Sequence, residues 1–580
     1  MQLNDIEKLL KDVQNPAAYV GGEVGCVYKD PAAVDVHFAM CFPDTYAIGM
    51  SNLAVKILYT LINRLPYAYC ERAFSPWTDM RERLLATGTP LYSLETLSPL
   101  CDFDIIGFTL GYELCYTNVL DMLSLGGVPV KARDRTGLKN LVIAGGNCCA
   151  NPEPMSDFID LFVVGDGEEV TVEFLDLYRE HKLKGSTKQE FLKAADEIEG
   201  VYVPSLYDVD YNDDDTVKAV THYSGEQKTV HKRVVENLDD MVMPDFILPY
   251  SKVVHDRIMT EVMRGCIRGC RFCQAGFITR PLRPRSPERI IKSVELAAEQ
   301  TGYSEVSLNS LSTSDYPKLP ELLDGLIDFT KKNNINLSLP SMRIDNFSEE
   351  LLAKTRAVRE SGLTFAPEAG TQRLRDVINK NVTEEQVMRA CRIAFSGGKA
   401  SVKLYFMISL PTETDEDVAG IIALAKKVLD IKRANISISA ATFVPKPHTP
   451  FQWAAQDSME EIERKQKILL DTVRSPETGS RSIRVSWHSP KTSRIEALLA
   501  RGDRRIGAVI YDVWKSGGVF DAWDDIFDYD RYENACSENG MDISFYVNRV
   551  RDDDEVFPWQ HISVGVPSGY LLKEWRAAND

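Results

Sequence analysis

From about residue 32 to residue 180, short apolar runs alternate with stretches of helical period, the pattern of a parallel α/β sheet. Ala33–Cys41 reads as the first strand. The turn Phe42-Pro43-Asp44-Thr45-Tyr46-Ala47-Ile48-Gly49-Met50 follows it, and then a helix with apolar positions at Leu53, Ile57, Leu58 and Leu61. Phe103–Thr109, Leu141–Ala144 and Leu161–Val164 are further buried strands. The run from Leu141 ends in Gly145-Gly146, and the run from Leu161 turns through Gly165-Asp166-Gly167 into a helix that opens with Glu168-Glu169. Ligands of such sheets bind outside the carboxyl ends of the strands, where all of these turns lie.

The pattern changes between about 185 and 250. Val201–Pro204, Tyr207–Tyr211 and Val217–His222 alternate with period two, and Asn212–Asp215 is a turn between them, which predicts a β-rich connector. A second βα series starts at Ile258, with strands over Ile258–Met263, Glu305–Leu308, Ile335–Leu339, Leu363–Ala366, Ser401–Ile408 and Ile436–Val444. Helices such as Pro287–Glu299 and Glu384–Ser396 separate them. The expected organisation is a Rossmann-like sheet domain over 1–184, the connector over 185–250, a six-unit βα core over 251–480 and a small α+β region over 481–580.

Composition narrows the class. The chain has 580 residues, with 44% hydrophobic and 26% charged residues, ordinary values for a globular protein of several domains. A formal net charge of −18 argues against a generally basic nucleic-acid surface. Twelve cysteines, no apolar run of membrane-spanning length and a polar start, MQLNDIEKLLKDVQ, lead to the expectation of a reducing cytoplasm and no membrane.

The densest chemistry is Arg264-Gly265-Cys266-Ile267-Arg268-Gly269-Cys270-Arg271-Phe272-Cys273, directly after the first strand of the second series. Thiolates suit iron–sulfur clusters and zinc. A structural zinc site wants four protein ligands, whereas the nearest further Cys or His are His255 and Cys391. Three thiolates leave one iron of a cubane open to a substrate or cofactor. The glycines let the backbone turn tightly, and Phe272 can shield one face.

This C-x3-C-x2-C loop, with its aromatic before the last Cys, resembles the cluster loop of the radical S-adenosylmethionine (SAM) superfamily. The resemblance implies a 4Fe–4S cluster on Cys266, Cys270 and Cys273, SAM on the open iron, reductive cleavage to a 5′-deoxyadenosyl radical, and a partial TIM barrel, (β/α)6. It also implies an electron donor such as flavodoxin or ferredoxin. Ala366-Pro367-Glu368-Ala369-Gly370-Thr371-x-Arg373 is similar to the region where Glu holds the ribose of SAM and a nearby cation neutralises its carboxylate. Glu368 and Arg373 are the residues this implies, with Arg375 and Lys380 as rivals for the second role. Phe406–Glu413 matches the fifth-strand motif that lies against adenine, with Ser409 where Gly is usual. Leu308-Asn309-Ser310 stands where a Gly-Gly-Glu motif is usual.

The first series resembles the cobalamin-binding domain that precedes many radical SAM cores. Asp44-x-Tyr46-x-x-Gly49, Gly145-Gly146 and Gly165–Glu168 carry that likeness. Tyr46 replaces the histidine that would ligate cobalt, so cobalamin held here would lack a protein nitrogen ligand. Arg494, Arg501, Arg504 and Arg505 read either as a local phosphate-binding patch or as solvated helix ends. The resulting expectation is a radical SAM enzyme that modifies, by methylation among the options, an RNA, protein or small molecule. The rival reading is an iron–sulfur RNA- or protein-binding factor without turnover. The sequence leaves the oligomeric state open.

Overall fold

A computed structural model describes residues 3–339, 342–349, 363–432, 434–476 and 480–579. The chain divides into two compact units. Unit 1 contains 1–256, 502–542 and 555–565; unit 2 contains 257–501, 543–554 and 566–580. The sequence region expected as one accessory piece, 481–580, is thus shared between both units, and the connector 185–250 belongs wholly to unit 1.

Unit 1 is built on strands β1 (Val36–Phe42), β2 (Ala68–Phe74), β3 (Ile105–Thr109), β4 (Leu141–Gly145), β5 (Leu161–Val163) and β6 (Val201–Tyr202), in the order β2-β1-β3-β4-β5-β6. All neighbours are parallel except β6, which runs antiparallel to β5. The central strands are buried on both faces, which is why each reads as an apolar run. The helix Leu53–Arg64 starts where Asn52 accepts the Val55 N–H, and it buries Val55, Ile57, Tyr59 and Ile62. The connector forms the antiparallel hairpin β7 (Tyr207–Tyr211) and β8 (Val217–His222). It then supplies β9 (Val230–His231), which pairs in parallel with the distant Ile562–Ser563.

In unit 2 the parallel strands β10 (Ile258–Glu261), β13 (Glu305–Asn309) and β14 (Asn336–Ser338) form one sheet. A short antiparallel pair, β11 (Met263–Arg264) and β12 (Arg283–Pro284), stands apart from it. β15 (Leu363–Glu368), β16 (Ser401–Ile408), β17 (Asn435–Thr442) and β18 (Ile483–Trp487) form a second parallel sheet. The helices Glu384–Ser396, Asp415–Ile431 and Met459–Arg474 cover this sheet with a continuous apolar cluster that includes Val387, Leu404, Ile422, Ile436 and Leu469. The six expected strands are therefore present within two parallel sheets. β18 is a seventh, and no closed barrel forms among the described residues. No described helix is long and apolar enough to cross a membrane.

Candidate active site

The cysteine loop begins where β10 and β11 end, on the carboxyl side of the first strand of unit 2. Pairing of β11 with β12 closes residues 265–282 into a loop. Gly265 sits at φ +91° with the Pro281 carbonyl so close that an added Cβ would lie 2.5 Å from its oxygen, so a side chain fits neither the conformation nor the space. Cys270 is buried, whereas Cys266 and Cys273 are half-buried. The Arg268 N–H donates to Cys266 Sγ at 3.4 Å. Cys273 is the N-cap residue of the short helix Gln274–Ile278, and its carbonyl accepts the Gly276 N–H at 3.2 Å. Burial pushes the Cys273 thiol up to about 11, and the Gly276 N–H opposes that shift. Burial also raises the Cys270 thiol, while Lys380 and Arg343 pull it down. Phe272, between these two cysteines, is half-buried.

The loop is anchored from one side by the segment after helix Gln372–Val377. The Asn379 amide donates to the Gly269 carbonyl at 2.9 Å, the Arg271 N–H to Ile378 at 3.0 Å, and the Arg271 guanidinium to the Val377 carbonyl at 2.6 Å. Lys380, next in sequence, donates to Glu368 Oε1 at 3.0 Å, and both side chains are largely shielded from solvent. Glu368, the last residue of β15, has φ +69°. The geometry brings together Cys270, Lys380, Arg343 and Glu368. It does not bring Arg373 to this group: Arg373 pairs with Asp417 and donates to the Thr412 carbonyl at 2.8 Å. Arg375 is fully buried and donates to the carbonyls of Val382 and Ala369. Ser409, at the end of β16, has φ +66° and a buried hydroxyl. That conformation is the physical reason a glycine would suit the position.

A different set of side chains stands at the strand ends of unit 1. The Trp523 indole N–H donates to Asp44 Oδ1 at 3.3 Å, and the Trp523 ring packs on Trp77 with centroids 4.8 Å apart. The Tyr46 hydroxyl donates to Glu23 Oε1 at 2.8 Å, and burial drives its pKa far up. Tyr46 is therefore a neutral donor committed to a carboxylate, not a cobalt ligand. Gly49 packs against Phe74 and Phe42, Gly145 lies beside Val163, Gly146 lies against the Leu110 carbonyl, and Gly165 bridges to Arg233. Glu71, Arg72 and Glu95 are scaffold. Arg72 is completely buried between Glu95 at 2.7 Å and Glu23 at 2.9 Å, and Glu71 takes bonds from His37, Ser93 and Thr96. His37 lies in β1, stacked on Phe103. Cys148 and Cys149 are buried in a 3-10 turn.

The arginines near the carboxyl end do not form a patch. Arg494 binds Asn548 and Ser544, and Arg501 is buried among the carbonyls of Tyr546 and Ala454. Arg504 pairs with Glu153 at 2.9 Å, and Arg505 pairs with Asp503 and Asp215.

Comparison with known proteins fits these observations. Residues 260–425 match the family described as "Radical SAM superfamily", and residues 54–204 match "Radical SAM proteins, N-terminal". The chain belongs to the radical SAM superfamily. This radical SAM enzyme is 29% identical over 470 residues to an uncharacterised protein of Methanocaldococcus jannaschii, covering 81% of this chain and 89% of that one. It is 27% identical over 226 residues to an uncharacterised methyltransferase of Pyrococcus horikoshii, covering 36% of this chain and 45% of that one, so it spans less than half that relative's length. Among solved structures, the radical SAM methyltransferase TsrM of Kitasatospora setae, with cobalamin and a 4Fe–4S cluster bound, aligns at a TM-score of 0.46 and 13% identity over 70% of this chain and 74% of that one.

The cofactors of the superfamily are a 4Fe–4S cluster and SAM. Among the described residues, no three His, Cys, Asp or Glu side chains converge on the point a single ion would occupy. A cubane binds each thiolate to a separate iron and asks for a wider spacing. The soft donor set of three thiols, a backbone N–H on Cys266 and cations beside Cys270 fits that group. Sequence reasoning missed Asn379 as an anchor of the loop. Its signal was weak, an Asn-Lys-Asn run at the end of a short helix.

Proposed function

We propose that this chain cleaves SAM reductively at a 4Fe–4S cluster held by Cys266, Cys270 and Cys273, and so starts a radical modification of a substrate carbon. The observation that carries the reading is the proximity of the cysteine loop to the Lys380–Glu368 pair, through Asn379 and Gly269. When bound, the cluster supplies the electron for cleavage. The protein's own residues do the rest. Glu368 accepts hydrogen bonds from ribose hydroxyls, and Lys380 and Arg343 hold positive charge where the SAM carboxylate arrives. The half-buried loop limits access of water to the reacting atoms. Methylation through cobalamin is the finer reading, motivated by the Asp44–Gly49 turn and the strand-end glycines. Tyr46 gives it no cobalt ligand.

Anaerobically reconstituted protein with a strong reductant should convert SAM to 5′-deoxyadenosine and hold about four irons per chain. Replacing Cys266, Cys270 and Cys273 together by Ala should abolish both, whereas replacing Cys148 and Cys149 should not. A triple variant that keeps its irons would overturn the assignment. Incubation with hydroxocobalamin followed by desalting tests the finer reading: a retained stoichiometric corrin supports it, and none retained removes it.

A further inference from the structure

We propose that Lys403 and Arg484 hold the phosphate group of the substrate, on the face of the β15–β18 sheet opposite its covering helices. The inference rests on the radical SAM reading above and names the chemical class of the substrate, a phosphate ester.

The two faces of this sheet carry different chemistry. On one, Phe365, Val402, Leu404, Ile436, Ile438 and Ile483 join the apolar cluster under the helices. Successive side chains of a strand point to opposite faces, so the residues between these line the other face. Register sets Thr364, Lys403, Ser437 and Arg484 side by side across β15, β16, β17 and β18. Tyr405, Ser439 and Ser486 form the next row toward the carboxyl ends. Tyr405, Arg484 and Ser486 are exposed, and Lys403, Ser437 and Ser439 are half-buried.

Charge selects the occupant. The charged residues within these strands are Glu368, Lys403 and Arg484, and Glu368 is taken by Lys380. Lys403 Nζ rests over the Tyr405 ring, 4.6 Å from its centroid. Among the described residues neither Lys403 nor Arg484 has a hydrogen-bond or ion-pair partner. In a chain of net charge −18, a face with two unpaired cations and no free acid is complementary to an anion.

Lys403 and Arg484 flank Ser437 on alternate strands, so their backbones stand about 10 Å apart at the usual strand spacing. Both side chains are long enough to converge above Ser437. A carboxylate presents one edge, which a single arginine fork satisfies. A tetrahedral phosphate presents oxygens in several directions, so the Arg484 fork, the Lys403 ammonium and the Ser437 hydroxyl can each take one. Thr364, in the same row, precedes Glu368 on β15 by a distance on the order of 13 Å along the strand. The phosphate is therefore a handle, and the reacting carbon lies toward the other end of a substrate of mononucleotide length.

Ligand-observed NMR titration of ribose 5-phosphate against the reconstituted chain, saturated with SAM so that Lys380 and Arg343 are engaged, tests this. Lys403→Met and Arg484→Met should each weaken binding about tenfold, the effect of one lost charge-assisted hydrogen bond, and the double variant should bind none. Lys467→Met removes an exposed lysine from helix Met459–Arg474 and should leave the affinity unchanged. Malonate, a dicarboxylate of similar charge, should bind the parent more weakly than ribose 5-phosphate. A double variant that binds as the parent does, an equal loss in Lys467→Met, or malonate bound as tightly as ribose 5-phosphate overturns the proposal. Conversion of SAM to 5′-deoxyadenosine by the parent is followed alongside. A parent that makes this product but fails those arms overturns this inference alone. One that makes none overturns the radical SAM reading, and the substrate role of the face with it.

Discussion

Lys380 and Glu368 form a shielded ion pair only 3.0 Å apart beside the buried Cys270, and this makes their charges interdependent. Removing one leaves the other partly desolvated and unpaired, which typically costs more than the pair contributes. Glu368→Gln keeps the shape and loses charge-assisted hydrogen bonds of about 1.5–3 kcal/mol each, so SAM affinity should fall roughly tenfold or more by calorimetry. Lys380→Met should weaken SAM binding as well, and Arg373→Met should weaken it less. A second buried cluster lies in unit 1. His561 is packed against Tyr202, with its Nε2 3.4 Å from Glu153 Oε1 but no hydrogen bond to either ring nitrogen. Burial lowers the His561 pKa from 6.5 to about 4, outweighing the attraction of Glu153. The unfolded chain therefore binds a proton between pH 6.5 and 4 that the folded chain refuses. Stability is full above pH 6.5 and declines as pH falls through that window, by a total on the order of 1–3 kcal/mol. His561→Gln should flatten urea-denaturation stability over this pH range.

At the scale of elements, a close joint in unit 2 is the one between the turn after β15 and helix Asp415–Ile431. A Cβ on Gly370 would lie 2.3 Å from the Asp417 carbonyl oxygen and 2.4 Å from the Ile421 nitrogen, both backbone atoms. The strand end and the helix cannot part without disturbing Glu368, two residues earlier. Gly370→Ala should destabilise by about 1–3 kcal/mol, in the range of overpacked cores, and should weaken SAM binding together with stability. Thermal melts of the two proteins check this. Leu141–Gly145 was legible because a parallel strand buried on both faces is a simple apolar run, and Ser401–Ile408 because its buried residues alternate with exposed and half-buried ones over eight positions. β18 escaped because Ile483–Trp487 is an edge strand with alternate residues exposed, and it follows the last expected strand. The cysteine loop was legible because all three thiols sit within eight residues. The partner of Glu368 was not legible: Arg373 and Lys380 are equally plausible by spacing, and only the fold turns Arg373 toward Asp417. The arginines at 494–505 misled for the same reason, because their acceptors are backbone carbonyls and acids remote in sequence.

On the scale of the molecule, the late segment 502–542 is part of unit 1. Phe520 N–H donates to Asn118 at 2.7 Å, Asp521 takes the Thr117 hydroxyl at 2.7 Å, and Trp514 donates to Asp121 at 3.2 Å. Helix Tyr116–Leu125 is buried on nearly every position, and this segment bonds to it at Thr117, Asn118 and Asp121. A fragment of residues 1–256 should therefore expose that helix and bind a hydrophobic dye or be cut rapidly by protease. Adding residues 502–565 in trans should reduce both signals, and a fragment as protease-resistant as the full chain would contradict the assignment.

The chain passes between the two units at Asp256, Arg501, Asp542, Asp554 and Gly565, so unit 1 is finished only when residue 565 has been made. Translation at ~5–20 residues per second leaves an interval of roughly 15–60 seconds after residue 256 emerges. For most of it the Thr117–Asp121 face waits for Asp521 and Trp514. Order of synthesis is thus written into the fold: the first sheet is made long before residues 502–542 and 555–565, which complete its unit.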